Sequence, residues 1–419
     1  MSTPSKQRDR AVITVTPEVS GQPNEPAQSP QTLEVAGQRL TVFVESPPLY
    51  EAMLADLAAA RQRIWLEVYI FSNDGAGTAI AEMLARKARE GVDVRIMYDA
   101  VGSSTTPAAF FTALQAAGAQ VHAYHSFWEA LQRFRPLTLL NRRNHRKLLV
   151  IDQSIGYFGG MNIVNHVGDD AGKSAGPSSG GWRDAHVRLE GAQQSEIAES
   201  FSRSWQKAHG QPLRGKRKYF RRVLRGISSK SANTGPAESI HFFDSGPGIR
   251  YGAAGRVFRR VMRLARSSVT ISMAYFIPVG PLVQSLLRAR RRGVRFRLIV
   301  PGSQSDVWLV QRATSHIYAR LIRRGFRVYE RRDQMLHAKI IIVDHQWTLV
   351  GSANMDPLSM YFNLEFLAVI RSQAFAEMVE RITRFELQHS QRITEAHCRR
   401  ITRWNRLLNA LAWSLRWWL

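Results

Sequence analysis

Two histidines, two lysines and two asparagines recur in this chain at identical intervals. His145, Lys147, Asp152 and Asn162 are separated by two, five and ten residues, and His337, Lys339, Asp344 and Asn354 repeat those steps. An imidazole can attack an electrophile or move a proton near neutrality, while an ammonium and a carboxamide hold anionic oxygens. Together they suit nucleophilic or proton-transfer chemistry on an anionic substrate, whose oxygens repel an incoming nucleophile until fixed donors neutralise them. A spaced pattern that occurs twice is far more specific than a single match. For a lone histidine such as His186 a satisfied structural role is the ordinary reading. For the repeated pairs, a structural role would mean buried cations without function, which is costly.

Each His-x-Lys step leads into an apolar run, LLVI after Lys147 and IIIV after Lys339. A two-residue spacing on a strand puts both side chains on one face, so these groups enter a site at the end of a buried strand. The surrounding text repeats as well. Ile64 to Phe71 reads as a strand, Ile80 to Ala88 as a helix stopped by Gly91, and Val92 to Tyr98 as a strand; Val269 to Ile277, Leu282 to Arg292, Gly293 and Val294 to Val300 answer them. Phe110 to Gly118 and Ile317 to Gly325 read as further helices, each followed by a short strand. The duplication predicts an α/β fold of two pseudo-symmetric halves with mixed central sheets flanked by helices and the site at the interface between halves. Asp184 in WRDAHVRLEG and Glu365 in NLEFLAVI stand at corresponding places after their histidines, once the Gly/Ser-rich loop Gly168 to Gly181 is discounted.

The 419 residues divide into a disordered tail over 1–37, a first half over 38–210, a basic linker over 211–238, a second half over 239–385 and a C-terminal helix over 386–419. The 58 Lys and Arg against 33 Asp and Glu give a net charge of +25, which predicts an anionic partner. A single cysteine, Cys398, excludes an intramolecular disulfide framework, and no Cys-based zinc spacing is present. No run is long and apolar enough for a membrane span. The C-terminal stretch instead alternates Trp and Leu with Arg at spacings of three and four, which suits a headgroup interface or a docked amphipathic helix. Its membrane-facing set is Arg403, Trp404, Arg406, Trp413, Arg416, Trp417 and Trp418. The run RGKRKYFRRVLR in the linker is the second membrane-contact candidate.

NHRKLLVID with GGMNI, and LHAKIIIVD with GSANMDPLSMYFNLE, resemble the phospholipase D superfamily and within it the bacterial cardiolipin synthases, in a short peripheral type without N-terminal transmembrane helices. The resemblance extends roughly from Val42 to Val379. It implies two phospholipase D-like halves and transfer of a phosphatidyl group through a phosphohistidine, with phosphatidylglycerol as acceptor and glycerol or another headgroup alcohol released. It implies His145 as nucleophile and His337 as acid and base. Lys147, Lys339, Asn162 and Asn354 then hold the nonbridging oxygens, and Asp184 and Glu365 accept the second N–H of the imidazoles. Asp152 and Asp344 are read as structural, and Gly159, Gly160, Gly351 and Ser352 as substrate-lining. No cofactor or metal is required. The implied partners are phospholipids and an anionic membrane surface at the cytoplasmic face, with no nucleic acid. The rival readings are a phospholipase D-type hydrolase, a nuclease-type phosphodiesterase and a noncatalytic membrane scaffold.

Overall fold

The computed structural model describes residues 30–125, 142–165, 181–210, 227, 237–246, 252–303 and 305–418. Most of the predicted tail, the loop 168–180 and the basic run at 214–225 lie outside the described residues.

The first half carries β1 (Gln31–Val35), β2 (Gln38–Phe43), β3 (Arg63–Val68), β4 (Asp93–Asp99), β5 (Gln120–Tyr124), β6 (Leu148–Ile151), β7 (Ile155–Gly159) and β8 (His186–Glu190). The second carries β9 (Ser239–Ser245), β10 (Ser268–Met273), β11 (Arg295–Pro301), β12 (Arg327–Arg331), β13 (Lys339–Val343), β14 (Trp347–Gly351), β15 (Glu365–Arg371) and β16 (Ser390–Ile393). They form two sheets, in the order β1-β2-β8-β7-β6-β3-β4-β5 and β16-β12-β11-β10-β13-β14-β15-β9. Removing β1 from one and β16 from the other leaves two cores that correspond strand for strand, β2 with β9 through to β8 with β15. The duplication read in the sequence is therefore a duplication of topology. In each core three strands run parallel, joined by crossover helices, and the rest pair antiparallel.

Local chemistry explains the elements. The helix Gly75–Arg89 begins where Asp74 accepts the Gly77 N–H at 2.9 Å and ends with Arg86, Lys87 and Arg89 against its carbonyl terminus. All five residues of β13, KIIIV, are buried, as β-branched side chains covered on both faces require. Helices Ser46–Ala59, Gly75–Arg89 and Ala108–Ala116 cover the outer face of the first sheet; Ala253–Leu264, Pro281–Arg291 and Trp308–Arg323 cover that of the second. The inner faces share one core with helices Gln194–Ala208 and Gln373–Gln388. There Phe158 meets Phe242 and Phe366 at ring separations of 5.4 and 5.9 Å, each ring contributing roughly 1.5–3 kcal/mol by its burial. This shared core fixes one half against the other.

The structure departs from the sequence reading at both ends. β1 falls inside the predicted tail: QTLEV alternates, and Ala36 and Gly37, both with positive φ, turn it into a hairpin with β2. At the other end, 386–419 is not one helix. β16 pairs antiparallel with β12, and Thr394 and Thr402 each cap a new helix, Glu395–Arg400 and Arg403–Ser414. The helix begun at Ile317 in the sequence reading starts earlier, at Trp308.

Asp152 and Asp344 follow β6 and β13 with φ of 49° and 53°. Asp344 accepts the backbone N–H groups of Arg266, Ser267 and Ser268 at 2.7, 2.8 and 2.9 Å, and Asp152 those of Arg61, Gln62 and Arg63 at 3.0, 2.7 and 3.1 Å. Each carboxylate thus latches the start of the neighbouring strand. Asp344→Ala should lower the urea-unfolding free energy by about 1–3 kcal/mol, since it strands three donors and places alanine in a left-handed conformation. Asp344→Asn keeps one acceptor and tolerates that conformation, so it should lose less; equal losses would assign the effect to the turn alone.

Candidate active site

The site forms where the strand entering each half's sheet from its motif meets the other half. Backbone bridges cross between them: His145 N–H donates to Leu364 O at 3.0 Å and Leu364 N–H to Arg143 O at 2.9 Å; His337 N–H donates to Arg183 O at 2.7 Å and Arg183 N–H to Met335 O at 2.8 Å. Each bridge brings a histidine beside a carboxylate of the opposite half. His145 Nδ1 lies 3.1 Å from Glu365 Oε1, and His337 Nδ1 lies 2.6 Å from Asp184 Oδ2. A carboxylate can only accept, so Nδ1 carries the proton and Nε2 keeps the lone pair. The correspondence of Asp184 and Glu365 was legible in the sequence. That each serves the other half's histidine was not, because only the packing of the halves decides it.

The lysines lie within this frame. Lys147 Nζ donates to His145 O at 2.9 Å, and Lys339 Nζ stands 2.7 Å from His337 Nδ1 and 3.5 Å from Asp184 Oδ2. Asn162 turns its carboxamide oxygen to the Ile70 N–H at 3.1 Å. The Asn354 carboxamide oxygen is buried with no hydrogen-bond partner among the described residues, and it is the NH2 group on the same carboxamide that can donate to an anionic oxygen. All these groups are buried except His145, whose side chain is 12% exposed.

Burial sets the charge states. It pushes the His145 imidazole down to about 4, with Lys147 adding to the shift, so this ring is neutral at neutral pH. Burial also lowers Lys147 to about 7, Glu365 opposing and Lys339 reinforcing the shift. His337 and Lys339 are both lowered by burial, and Lys339 depresses His337 further. For Asp184 burial acts upward as the largest influence, yet Lys339 and His337 outweigh it and hold the carboxyl below its ordinary value. The two lysines repel each other and both feel Glu365 and Asp184, which places all four charges in one site.

The halves differ at one position. Ser352 donates its hydroxyl to Glu365 Oε2 and accepts the Phe366 N–H at 3.0 Å, so it holds the carboxylate and does not line a substrate space. At the matching Gly160 a Cβ would stand 2.2 Å from Asp184 Oδ1. A Cβ at Gly351 would stand 2.2 Å from Phe366 O, and one at Gly159 2.5 Å from His186 Cα. These glycines admit the carboxylate-bearing strands and their neighbours, a close approach that a side chain at any of the three would block. His186 also differs from a satisfied histidine: both ring nitrogens are buried without a hydrogen-bond partner among the described residues, and burial drives its pKa to about 3.

Sequence reasoning missed the aromatic groups around the imidazoles. Tyr69 packs on His145 at 5.1 Å between ring centroids, and Trp182 and Tyr275 on His337 at 5.2 and 6.1 Å. Tyr69 and Tyr275 follow the two equivalent strands β3 and β10, a signal present in the repeated block but offset by one position. Of the C-terminal set, Arg403, Trp404, Arg406, Trp417 and Trp418 are exposed, whereas Trp413 stacks on His316 at 5.6 Å with Arg416 over its ring at 5.1 Å. Trp413 and Arg416 thus face the protein body.

Paired His, Lys and Asn residues with crossed carboxylates on a duplicated α/β fold define a phospholipase D-like protein. The family described as "Cardiolipin synthase, PLD-like domain" matches residues 53–166 and 258–385. The chain is 31% identical over 364 residues to cardiolipin synthase 1 of Staphylococcus epidermidis, covering 85% of this chain and 69% of that protein. It is 30% identical over 361 residues to cardiolipin synthase A of Pseudomonas putida, covering 86% and 71%. It therefore belongs to the cardiolipin synthase family of phospholipase D-like proteins and is a phosphatidyltransferase. The crystal structure of phosphatidylserine synthase from Haemophilus influenzae shares the fold with a TM-score of 0.68 at 16% identity, over 93% of this chain and 95% of that one. Polyphosphate kinase from Porphyromonas gingivalis shares it with a TM-score of 0.56 at 13% identity, over 86% and 49%.

Two expectations follow from the crossed bonds and the shifted charges. Asp184→Asn and Glu365→Gln should each reduce turnover on the order of 10²–10⁴-fold with unchanged circular dichroism, because an amide no longer fixes the reactive tautomer; near-normal turnover would show that the crossed pairs only hold the halves together. The pH profile of kcat/KM in uncharged detergent should fall on the acid side near about 4, where His145 gains a proton, and on the alkaline side first where His337, lowered by burial and Lys339, loses the proton it must donate, the fall steepening near about 7 where Lys147 loses its charge. Lys147→Arg should remove the steeper part of the alkaline fall in whatever activity remains, since a guanidinium keeps its charge.

Proposed function

We propose that the protein takes a phosphatidyl group from a donor phospholipid, holds it on His145, and passes it to a hydroxyl of phosphatidylglycerol to form cardiolipin. The observation that carries the reading is the pair of buried imidazoles, each held through Nδ1 by a carboxylate of the opposite half, with Lys339 Nζ also 3.1 Å from Nε2 of His337. His145 is the more exposed and is neutral at neutral pH, which suits a nucleophile. His337, bonded to Asp184 at 2.6 Å, is the better placed to carry a proton once an anionic phosphodiester offsets the Lys339 charge.

In the first half-reaction His145 Nε2 attacks phosphorus, the bond to the headgroup oxygen breaks, and His337 gives that oxygen a proton. In the second, His337 takes the proton of the acceptor hydroxyl as its oxygen attacks phosphorus, and the P–N bond breaks. Lys147, Lys339, Asn162 and Asn354 hold the nonbridging oxygens throughout. When the donor is itself phosphatidylglycerol the departing alcohol is glycerol. One phosphodiester is exchanged for another, so substrate supply sets the direction. No helix among the described residues is long and apolar enough to cross a membrane. The proposed place of work is a peripheral one on the cytoplasmic face of the membrane, with anionic phospholipid as its partner surface.

Labelled phosphatidylglycerol supplied alone should yield cardiolipin and glycerol; phosphatidic acid as the sole product would replace transfer by hydrolysis. Roles of the imidazoles separate with a phosphatidyl ester of p-nitrophenol, whose departure needs no proton. His337→Ala should still release a burst of p-nitrophenol and retain label on the protein, while His145→Ala should do neither. The reverse pattern would exchange the two assignments.

A further inference from the structure

We infer that Trp308 and the outer row of the helix Arg403–Ser414 form one bilayer-docking face adjoining the active site, and that its occupant is an anionic phospholipid surface. The choice of a bilayer rests on the phosphatidyl-transfer reading. Trp308 is 64% exposed, Trp404 66%, Leu411 53% and Trp418 61%. Single exposed apolar residues are ordinary, but Trp404, Leu407 and Leu411 recur at helical spacing on one helix, Trp418 stands just past its end, and Trp308 opens the helix on which it docks.

The way the helix docks argues that the row is meant to face outward. It sits on the helix Trp308–Arg323 through its polar and small residues: Arg312 donates to Asn405 and Asn409, both at 3.3 Å, and Ala412 is buried against Val310 and Ala313. Burial alone would favour turning the leucines and tryptophans inward and the asparagines out. The observed orientation turns Trp413 inward but leaves Trp404, Leu407 and Leu411 outward, with Arg403 and Arg406 exposed on the same helix. Tryptophan with flanking arginine is the composition of a headgroup-level contact.

Position ties the face to the site. Arg312, which reaches Asn405 and Asn409, lies over the Trp308 ring at 5.8 Å, so that ring neighbours the guanidinium that ties the C-terminal helix down. Two residues before Trp308, Asp306 accepts the Tyr275 hydroxyl at 2.5 Å, and the Tyr275 ring packs on His337. A bilayer resting on the face therefore meets the rim of the active site on its His337 side, where a lipid headgroup passes in without the acyl chains leaving the membrane.

The test is sedimentation with vesicles of mixed phosphatidylcholine and phosphatidylglycerol, run on the His145→Ala protein so that binding is read without turnover. Adding Trp308→Ala should lower the partition coefficient on the order of tenfold, and adding Trp404→Ala and Leu411→Ala should lower it further. In the catalytic background the same changes should spare turnover of short-chain lipid in detergent. Undiminished vesicle binding by the Trp308→Ala protein overturns the proposal, whatever the triple variant does. So does a shift from dimer to monomer on ultracentrifugation with vesicle binding intact, which would make the face a contact between copies. Because the binding assay needs no chemistry, failure of the transfer reading and failure of this one are distinguishable.

Discussion

The structure depends on the exchange of carboxylates between its halves. Each histidine takes its carboxylate from the opposite half: Glu365 holds His145, Asp184 holds His337, and one short backbone bridge secures each contact. A competent site therefore exists only when both halves have folded and closed on each other. The buried arginines serve the same closure. Arg146 reaches Glu365 O and Ser245 O, each at 3.2 Å, and Arg183 reaches Glu386 at 3.1 Å across the interface while lying over the Phe385 ring. Buried ion pairs seldom add much net stability, because desolvation offsets their attraction. Their effect is to define one relative placement, which an apolar core of phenylalanine and leucine would leave less specific.

Burying so much charge has a chemical consequence. Two lysines inside the protein repel each other and are each pulled toward the neutral form, a tension that an anionic phosphodiester relieves on arrival. Such a pair of buried cations favours an anionic partner, and more so one whose negative charge grows during reaction. Fixed ammonium and carboxamide groups achieve this without solvent reorganising at the moment of reaction.

Much of this was legible in the chain. The spacing of His, Lys, Asp and Asn revealed the duplicated site, and the repeated strand–helix–strand blocks revealed the duplicated fold, because both signals are local. What was lost depended on tertiary contact. Ser352 reads in the sequence like a donor to substrate, yet its hydroxyl is spent on Glu365. The strand Gln31–Val35 is hidden by its polar surroundings until its hairpin partner is seen. The C-terminal stripe looked continuous because periodicity carries across Thr394 and Thr402, whose capping hydroxyls in fact restart the helix twice. The sequence groups Trp413 and Trp404 in one membrane-facing set, yet nine residues apart on one helix they face opposite ways, Trp413 inward against His316.

The residual asymmetry of the site follows from a small difference in side-chain length. Aspartate reaches His337 directly and leaves no room for a side chain at the glycine beside it, whereas glutamate is longer and requires a second anchor, which Ser352 supplies from the matching position. The glycine–aspartate and serine–glutamate combinations are thus alternative solutions to one geometric problem, a carboxylate oxygen placed against Nδ1. They differ in what else the carboxylate touches: Asp184 also meets Lys339 at 3.5 Å, while Glu365 shares its charge with a hydroxyl. A duplicated frame can in this way hold two imidazoles in equivalent places and still surround them with different partners, a hydroxyl-anchored glutamate for one and a lysine-paired aspartate for the other.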